Sequence, residues 1–260
     1  MHSRDILAVV VLAAGEGTRM KSRRLKVLFG ILGRSMLGWV LEAQAPLKAD
    51  RVVVVAGHAK EKIGNEVRRL GYREVRIVIQ KRLVGSGDAV LSARDALRGF
   101  QGTVLVLPGD CPMITTATLK RLIRVHRNSG NAATVLSAIV DDPFGYGRIK
   151  KSGNSISIIE EKDATPGERK IHKVNSGIYC FNADELFRAL KKVKPDNKKH
   201  EYYLTDVIGI ISNSGKKTGV VCTSDSFEIT GINDRAELAR VTKIANERNL
   251  DRTPKEMEDG

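Results

Sequence analysis

The 260-residue sequence is 42% hydrophobic and 28% charged with only 5% aromatic residues, which excludes a disordered or fibrous chain and points to a core of Val, Ile, Leu and Ala. Its formal net charge of +14 suits anionic partners. The basic residues are dispersed, however, and the denser clusters, Lys21–Lys26 and Lys191–His200, hold no interleaved aromatics, which argues against a nucleic-acid binder.

Ile6–Leu12 opens the chain as a short apolar run without a basic start or a cleavage site before it, so it reads as a buried strand and not as a signal peptide. Further strands are expected at Arg51–Ala56, Val75–Ile79, Thr103–Leu107 and Ala133–Ile139, with amphipathic helices near Ser35–Leu47, Glu61–Leu70, Asp88–Arg98 and Thr116–Arg127. Continuous apolar strands alternating with helices predict an α/β, Rossmann-like fold: a mixed, mostly parallel sheet with helices on both faces, whose ligands sit beyond the carboxyl ends of the strands. After Asp141 the spacing shortens, with strands at Ser155–Glu160 and Lys173–Phe181, helices near Asp184–Val193 and Tyr202–Asn213, and a C-terminal helix from Asp234 to about Asn249. No apolar run approaches the roughly 20 residues of a membrane span. Cys111, Cys180 and Cys222 lie far apart without C-x-x-C spacing, so neither a disulfide framework nor a zinc site is expected, and a cytoplasmic location fits.

The loop after the first strand, Gly15-Glu-Gly-Thr-Arg-Met-Lys-Ser, is glycine-rich and basic. A dinucleotide fingerprint needs a small residue where Met20 stands, and a P-loop needs a glycine there. A longer open loop fits better. Gly15 and Gly17 would admit backbone N–H groups to a triphosphate, with Arg19 and Lys26 supplying charge. A tight strand-to-helix turn with a solvated basic patch is the simpler alternative at this level.

The pattern Leu12, Gly15, Gly17, Thr18, Met20, Ser22 and Lys26 resembles the sugar-1-phosphate nucleotidylyltransferases, whose loop reads L-x-x-G-x-G-T-x-M-x-S-x-x-P-K. Leu25 stands where that family has proline, which would loosen the approach of Lys26. The similarity runs through Gln80 and Gly85-Ser-Gly, Leu107-Pro-Gly-Asp-Cys-Pro-Met, Gly145-Tyr-Gly-Arg-Ile, Ile159-Glu-Glu-Lys-Asp-Ala, Val174-Asn-Ser-Gly-Ile, Glu201-Tyr-Tyr-Leu-Thr-Asp and Gly231-Ile-Asn. It is strongest to the uridylyltransferase domain of the bifunctional enzyme that makes UDP-N-acetylglucosamine, a cell-wall precursor.

The resemblance implies a nucleotide-diphospho-sugar transferase fold. It also implies a Mg2+-dependent transfer of UMP from UTP to N-acetylglucosamine-1-phosphate, with pyrophosphate leaving. Arg19, Lys26 and Asp110 would be catalytic, and Asp110 and Asn233 the metal ligands. Leu12, Ala13, Ala14, Gly15, Gly17, Gln80, Gly85 and Ser86 would bind the nucleotide. Gly109, Gly147, Glu160, Asn175, Tyr203 and Thr205 would bind the sugar. The implied organisation is one nucleotidylyltransferase domain over 1–233, with a nucleotide-binding half at 1–140 and a sugar-binding half at 141–233. A C-terminal helix at 234–250 and a flexible tail at 251–260 would follow. No hexapeptide repeat occurs before Gly260, so the acetyl transfer and the β-helix trimer of the bifunctional enzymes are not expected of this sequence; its oligomeric state is left open. The expected partners are small molecules, not nucleic acid or membrane. Two rival readings are a transferase for another sugar phosphate or for dTTP, and a non-catalytic nucleotide-sugar sensor. Cys111 is not expected to act as a nucleophile, since the reaction needs no covalent step.

Overall fold

The apolar run after Ile6 becomes β1 (Leu7–Ala13), and its two-residue alternation divides the interior. Leu7, Val9, Val11 and Ala13 enter one core cluster while Ala8 and Val10 enter another on the opposite face. A strand apolar on both sides is a central strand, covered by helices above and below. The computed structural model describes residues 6–250 apart from Glu16, Arg23 and Asn154; the tail expected at 251–260 lies outside the described residues.

In chain order, a small ribbon of β2 (Gly30–Ile31) and β3 (Arg34–Ser35) leads into α1 (Met36–Gln44). The units β4 (Arg51–Ala56) with α2 (Lys60–Arg69), β5 (Arg76–Ile79) with α3 (Ser86–Ser92), and β6 (Thr103–Pro108) with α4 (Thr116–Asn128) follow. The second half holds β7 (Ala133–Ile139), the hairpin β8 (Arg148–Ser152) and β9 (Ser155–Ile159), β10 (Lys173–Asn182), α5 (Ala183–Leu190), α6 (Thr205–Asn213), β11 (Thr218–Cys222) and α7 (Arg235–Glu247).

The main sheet runs β11-β7-β10-β6-β1-β4-β5. The pairs β6–β1, β1–β4, β4–β5 and β7–β11 are parallel, and only β10 on this path runs against its neighbours. The sheet is therefore mixed and mostly parallel, as the alternation of strands and helices predicts. The order in which strands are added reverses about β1: β4 lies on one side and β6 on the other. A crevice forms at such a switch point, and it lies at the carboxyl ends of β1 and β6.

Helices α1, α2 and α4 cover one face, and α3, α5 and α6 the other. A third cluster stands apart, in which Met20 of the first loop, Ile31, Met36, Trp39 and Met113 pack against Ile232, Val241 and Ala245 of the C-terminal segment. The bulk at Met20 that rules out a dinucleotide fingerprint or a P-loop thus has a use: the side chain is 0% exposed and pins the loop beneath α7. Among the described residues no helix is long and apolar enough to cross a membrane.

Met20→Ala should cost about 2–5 kcal/mol, the range for emptying a buried site of this size. Denaturant unfolding measures it; a loss under about 0.5 kcal/mol, the range of surface changes, would mean that the loop is not anchored by this side chain.

Candidate active site

Three segments distant in sequence meet at the crevice. Lys26 starts a short 3-10 turn (Lys26–Leu28), Asp110 follows β6, and Asn233 lies just before α7. The Lys26 ammonium is ion-paired with the Asp110 carboxylate and also donates to Asn233 Oδ1 at 3.1 Å. Both partners of the ion pair are largely shielded, with side chains 12% and 23% exposed. Gly17 permits this approach: a Cβ there would lie 2.5 Å from Lys26 Cβ, and its φ of 61° suits glycine. Leu25, in the place of the family proline, has φ −60° and ψ 138°. These are angles a proline would adopt, so the substitution leaves the path into Lys26 unchanged.

The backbone holds the same convergence. Gly109 N–H donates to Leu12 O at 2.8 Å, keeping β6 and β1 together up to the crevice. Ile232 N–H donates to Asp110 O at 3.0 Å, which brings Asn233 beside Asp110. A carboxylate and an amide oxygen aimed at one cation are hard oxygen donors of the kind that suits a divalent ion. Among the described residues no group of three or more His, Cys, Asp and Glu forms a metal cage. Two protein oxygens fit an ion that takes its other ligands from phosphate and water. Cys111 is buried, and burial together with Asp110 pushes its thiol well above the ordinary range, the opposite of what activates a cysteine nucleophile.

Beside this centre lies a cavity of about 460 Å3 lined by Leu12, Ala14, Gly15, Gly17, Gln80, Gly85 and Ser86, all singled out by the sequence. Thr18, Leu83, Ala89 and Glu201 line it too and were given no binding role by the sequence. Ala13 does not line it; its side chain belongs to the core. Gln80 is buried, and its Nε2 donates to Gly85 O and to Asp88 Oδ2, each at 3.0 Å. Because both partners are acceptors, the amide can only face them with nitrogen, which fixes its orientation at the cavity wall. Gly85 has φ 117°, and a Cβ there would lie 2.5 Å from Tyr202 O. That close packing lets Tyr202 N–H donate to Val84 O and Gly87 N–H to Tyr202 O, both at 2.7 Å. Ser86 Oγ accepts from Leu204 N–H at 3.0 Å. The Gln80–Ser86 loop is thereby stitched to the segment carrying Glu201, Tyr203 and Thr205.

The residues expected at the sugar fall in linked groups. Asn175 N–H donates to Gly147 O at 2.8 Å, and the register of β10 against β7 shifts between Asn175 and Tyr179, where Gly177 lies close to Pro108 of β6. Thr205 Oγ1 donates to Glu160 Oε1 at 3.1 Å. Tyr203 is 7% exposed, and its hydroxyl is buried without a hydrogen-bond partner among the described residues. Buried polar groups are seldom left so, and this one suits a polar group brought by a ligand. Burial pushes Glu160 up, and burial with Glu160 and Asp163 pushes Asp206 from 3.8 to about 6. Arg19 differs from the rest. It lies exposed on the short turn Thr18–Met20, and no hydrogen bond or ion pair ties it to the other site residues among the described residues. A larger groove of about 850 Å3, lined by Lys151, Lys173, Lys216 and Lys217 among others, gathers none of the residues the sequence marked.

Residues 9–200 match the MobA-like NTP transferase domain. Over 247 residues the chain is 46% identical to the bifunctional protein GlmU of Pelotomaculum thermopropionicum and 45% identical to that of Streptomyces coelicolor. These matches cover 94% of this chain but 53% and 51% of the relatives, so the chain spans about half the length of the curated relatives it matches. In three dimensions it is similar to UDP-glucose pyrophosphorylase complexed with UDP-glucose, with a TM-score of 0.72 over 94% of this chain and 99% of the other. At 17% identity that likeness is one of fold.

A Cβ added at Gly15 would meet nothing within 4 Å. Gly15→Ala should therefore melt with the wild type yet bind nucleoside triphosphate about tenfold more weakly, equivalent to 1.4 kcal/mol. Calorimetric titration decides; unchanged affinity would take Gly15 out of phosphate contact. The raised carboxyls make a second expectation. The folded protein holds protons there that the unfolded chain releases, so the associated stability is full below 3.8 and lost as pH rises to about 6. Asp206→Asn should raise the melting temperature at neutral pH and flatten the melting profile across that window; an unaltered profile would show that Asp206 titrates normally.

Proposed function

The chain belongs to the MobA-like NTP transferase domain family, and on that premise we propose that it transfers UMP from UTP to N-acetylglucosamine-1-phosphate, giving UDP-N-acetylglucosamine and pyrophosphate. The observation that carries this reading is the meeting of Lys26, Asp110 and Asn233 beside a cavity lined by the glycines of the first loop and the buried Gln80. The relatives, bifunctional GlmU proteins, support it over the whole matched length.

A sugar-phosphate oxygen forms a bond to the α-phosphorus of UTP in line with the bond that breaks, and the β- and γ-phosphates leave as pyrophosphate. The attacking phosphate is already ionised at neutral pH, so no side chain has to remove a proton, and what remains is positioning and charge stabilisation. Gly15 and Gly17 offer uncluttered backbone to the triphosphate, and Lys26 and the exposed Arg19 face the leaving pyrophosphate. Gln80 Oε1 accepts from N3–H of uracil. Cytosine has a lone pair at that position, so the buried oxygen would be left unpaired against it.

Asp110 and Asn233 are the residues that would hold a divalent cation, which we assign as Mg2+. When bound, it supplies neutralisation of phosphate charge in the transition state. Glu160 and Asn175 accept from sugar hydroxyls, Gly147 and Gly109 give backbone contacts, and Tyr203 and Thr205 border the N-acetyl group. Tyr203's unpartnered hydroxyl is then matched by that group.

The test is pyrophosphate release from UTP, dTTP, CTP and ATP against N-acetylglucosamine-1-phosphate, glucose-1-phosphate and glucosamine-1-phosphate. The expected maximum is UTP with N-acetylglucosamine-1-phosphate; a maximum at another pair moves the base or sugar assignment, and no turnover with any pair removes the enzymatic reading. Asp110→Asn should lower kcat by about 100-fold or more with the melting temperature retained. Gln80→Ala should erode the preference for UTP over CTP by at least about tenfold.

A further inference from the structure

Helix α7 looks like a plain surface helix closing the fold, but both ends of the proposed centre are tied to its first turn. Arg235 Nε donates to Met20 O at 3.1 Å, across 215 positions of sequence. Glu237 Oε2 accepts from Asn233 N–H at 2.5 Å, and Glu237 N–H donates to Asp234 Oδ1 at 2.8 Å. This is a capping box shifted by one residue: the N-cap aspartate serves the helix, while the glutamate reaches past it to the residue that carries the site oxygen. Behind these bonds, Met20 and Ile232 pack with Val241 and Ala245 of α7.

From this we propose that Arg235 and Glu237 are positioning residues, which lock the phosphate-facing loop and Asn233 to one rigid helix turn and so fix Lys26, Asp110 and Asn233 at catalytic distance. The proposal rests on the uridylyl-transfer reading for its catalytic part. Its physical basis is the reach of each bond. Met20 O belongs to the turn that follows Gly17, the residue whose bare α-carbon admits Lys26. Asn233 N belongs to the residue whose Oδ1 receives the Lys26 ammonium. Neither Arg235 nor Glu237 touches the cavity. Their loss should therefore leave the groups in place on average but widen their spread. Catalysis falls steeply with misplacement of about 1 Å, whereas binding of a long flexible substrate falls less.

The test pairs amide hydrogen exchange with steady-state kinetics on the full chain, for Arg235→Ala, Glu237→Ala and Glu237→Gln. Thr242→Gly serves as the control that weakens α7 away from its first turn. Arg235→Ala should speed exchange in residues 18–22, and Glu237→Ala at residue 233, with β1 and β6 unchanged. Each should lower kcat by about tenfold or more while KM for the sugar phosphate moves less than about threefold. Glu237→Gln keeps an acceptor oxygen and should recover most of the lost kcat. The control should lower the melting temperature and spare kcat. Unchanged exchange at residues 18–22 and 233 overturns the proposal, as does faster exchange with full kcat, or a kcat loss in the control as large as in Arg235→Ala. A wild-type protein that makes no nucleotide sugar overturns the reading of the reaction instead, and the exchange rates then decide the clamp by themselves.

Discussion

A lysine ammonium shared between a carboxylate and an amide oxygen, largely shielded from water, is expensive to desolvate and adds little net stability. It persists here because three segments cannot avoid one another. Gly17 has no side chain to hold Lys26 off, Asp110 is delivered by the paired ends of β1 and β6, and Asn233 is drawn in by the bond from Ile232 to the Asp110 carbonyl. The stability that holds this arrangement comes from elsewhere, from two apolar layers around the sheet and a third cluster under α7. The sheet and its clusters do the holding, and the polar centre is held.

Work is also divided between the walls of the crevice. One wall is mostly backbone and small residues, Leu12, Ala14, Gly15 and Gly17, which suits a ligand rich in anionic oxygens. The other side is acidic, with Glu160 and Glu201 near the buried, unpartnered hydroxyl of Tyr203, which suits ligand groups that donate hydrogen bonds. The backbone bonds between Val84–Gly87 and Tyr202 join the two walls, so neither can shift without the other.

Much of this is legible in the sequence, for identifiable reasons. Strands β1, β4, β6 and β7 are largely buried and read as predominantly apolar, β-branched runs, with Thr134 and Ser137 the polar interruptions in β7. The ribbon strand β8, Arg-Ile-Lys-Lys-Ser, and the edge strand β11, Thr-Gly-Val-Val-Cys, do not; they owe their conformation to partners rather than to composition. Motif matching marked Asp110 and Asn233, which meet at Lys26, but assigned no role to Thr18 or Glu201, which line the cavity and lie inside quoted motifs, because a motif does not say which of its side chains line a cavity. Arg235 and Glu237 left no trace in the sequence: charges in the first turn of a terminal helix are ordinary, and only the folded chain shows where they reach. The outcome at Leu25 runs the other way, since a departure that suggested a loosened loop has backbone angles a proline would adopt.

The position of β10 has a consequence for how such a chain comes together in time. Residues Lys173–Asn182 lie between β6 and β7, so two strands close in sequence are never neighbours in the sheet. Until β10 has been synthesised and inserted, each carries an unpaired edge of the kind that recruits wrong partners. β11 pairs with β7 only after a further stretch, and the bond from Ile232 to Asp110 spans 122 positions. Such pairings are slow to find because the intervening loop must be closed before any contact rewards it. In the nascent chain β6 and β7 thus emerge before the strand that separates them, and the centre at Lys26, Asp110 and Asn233 can assemble only once the segment carrying Asn233 has followed.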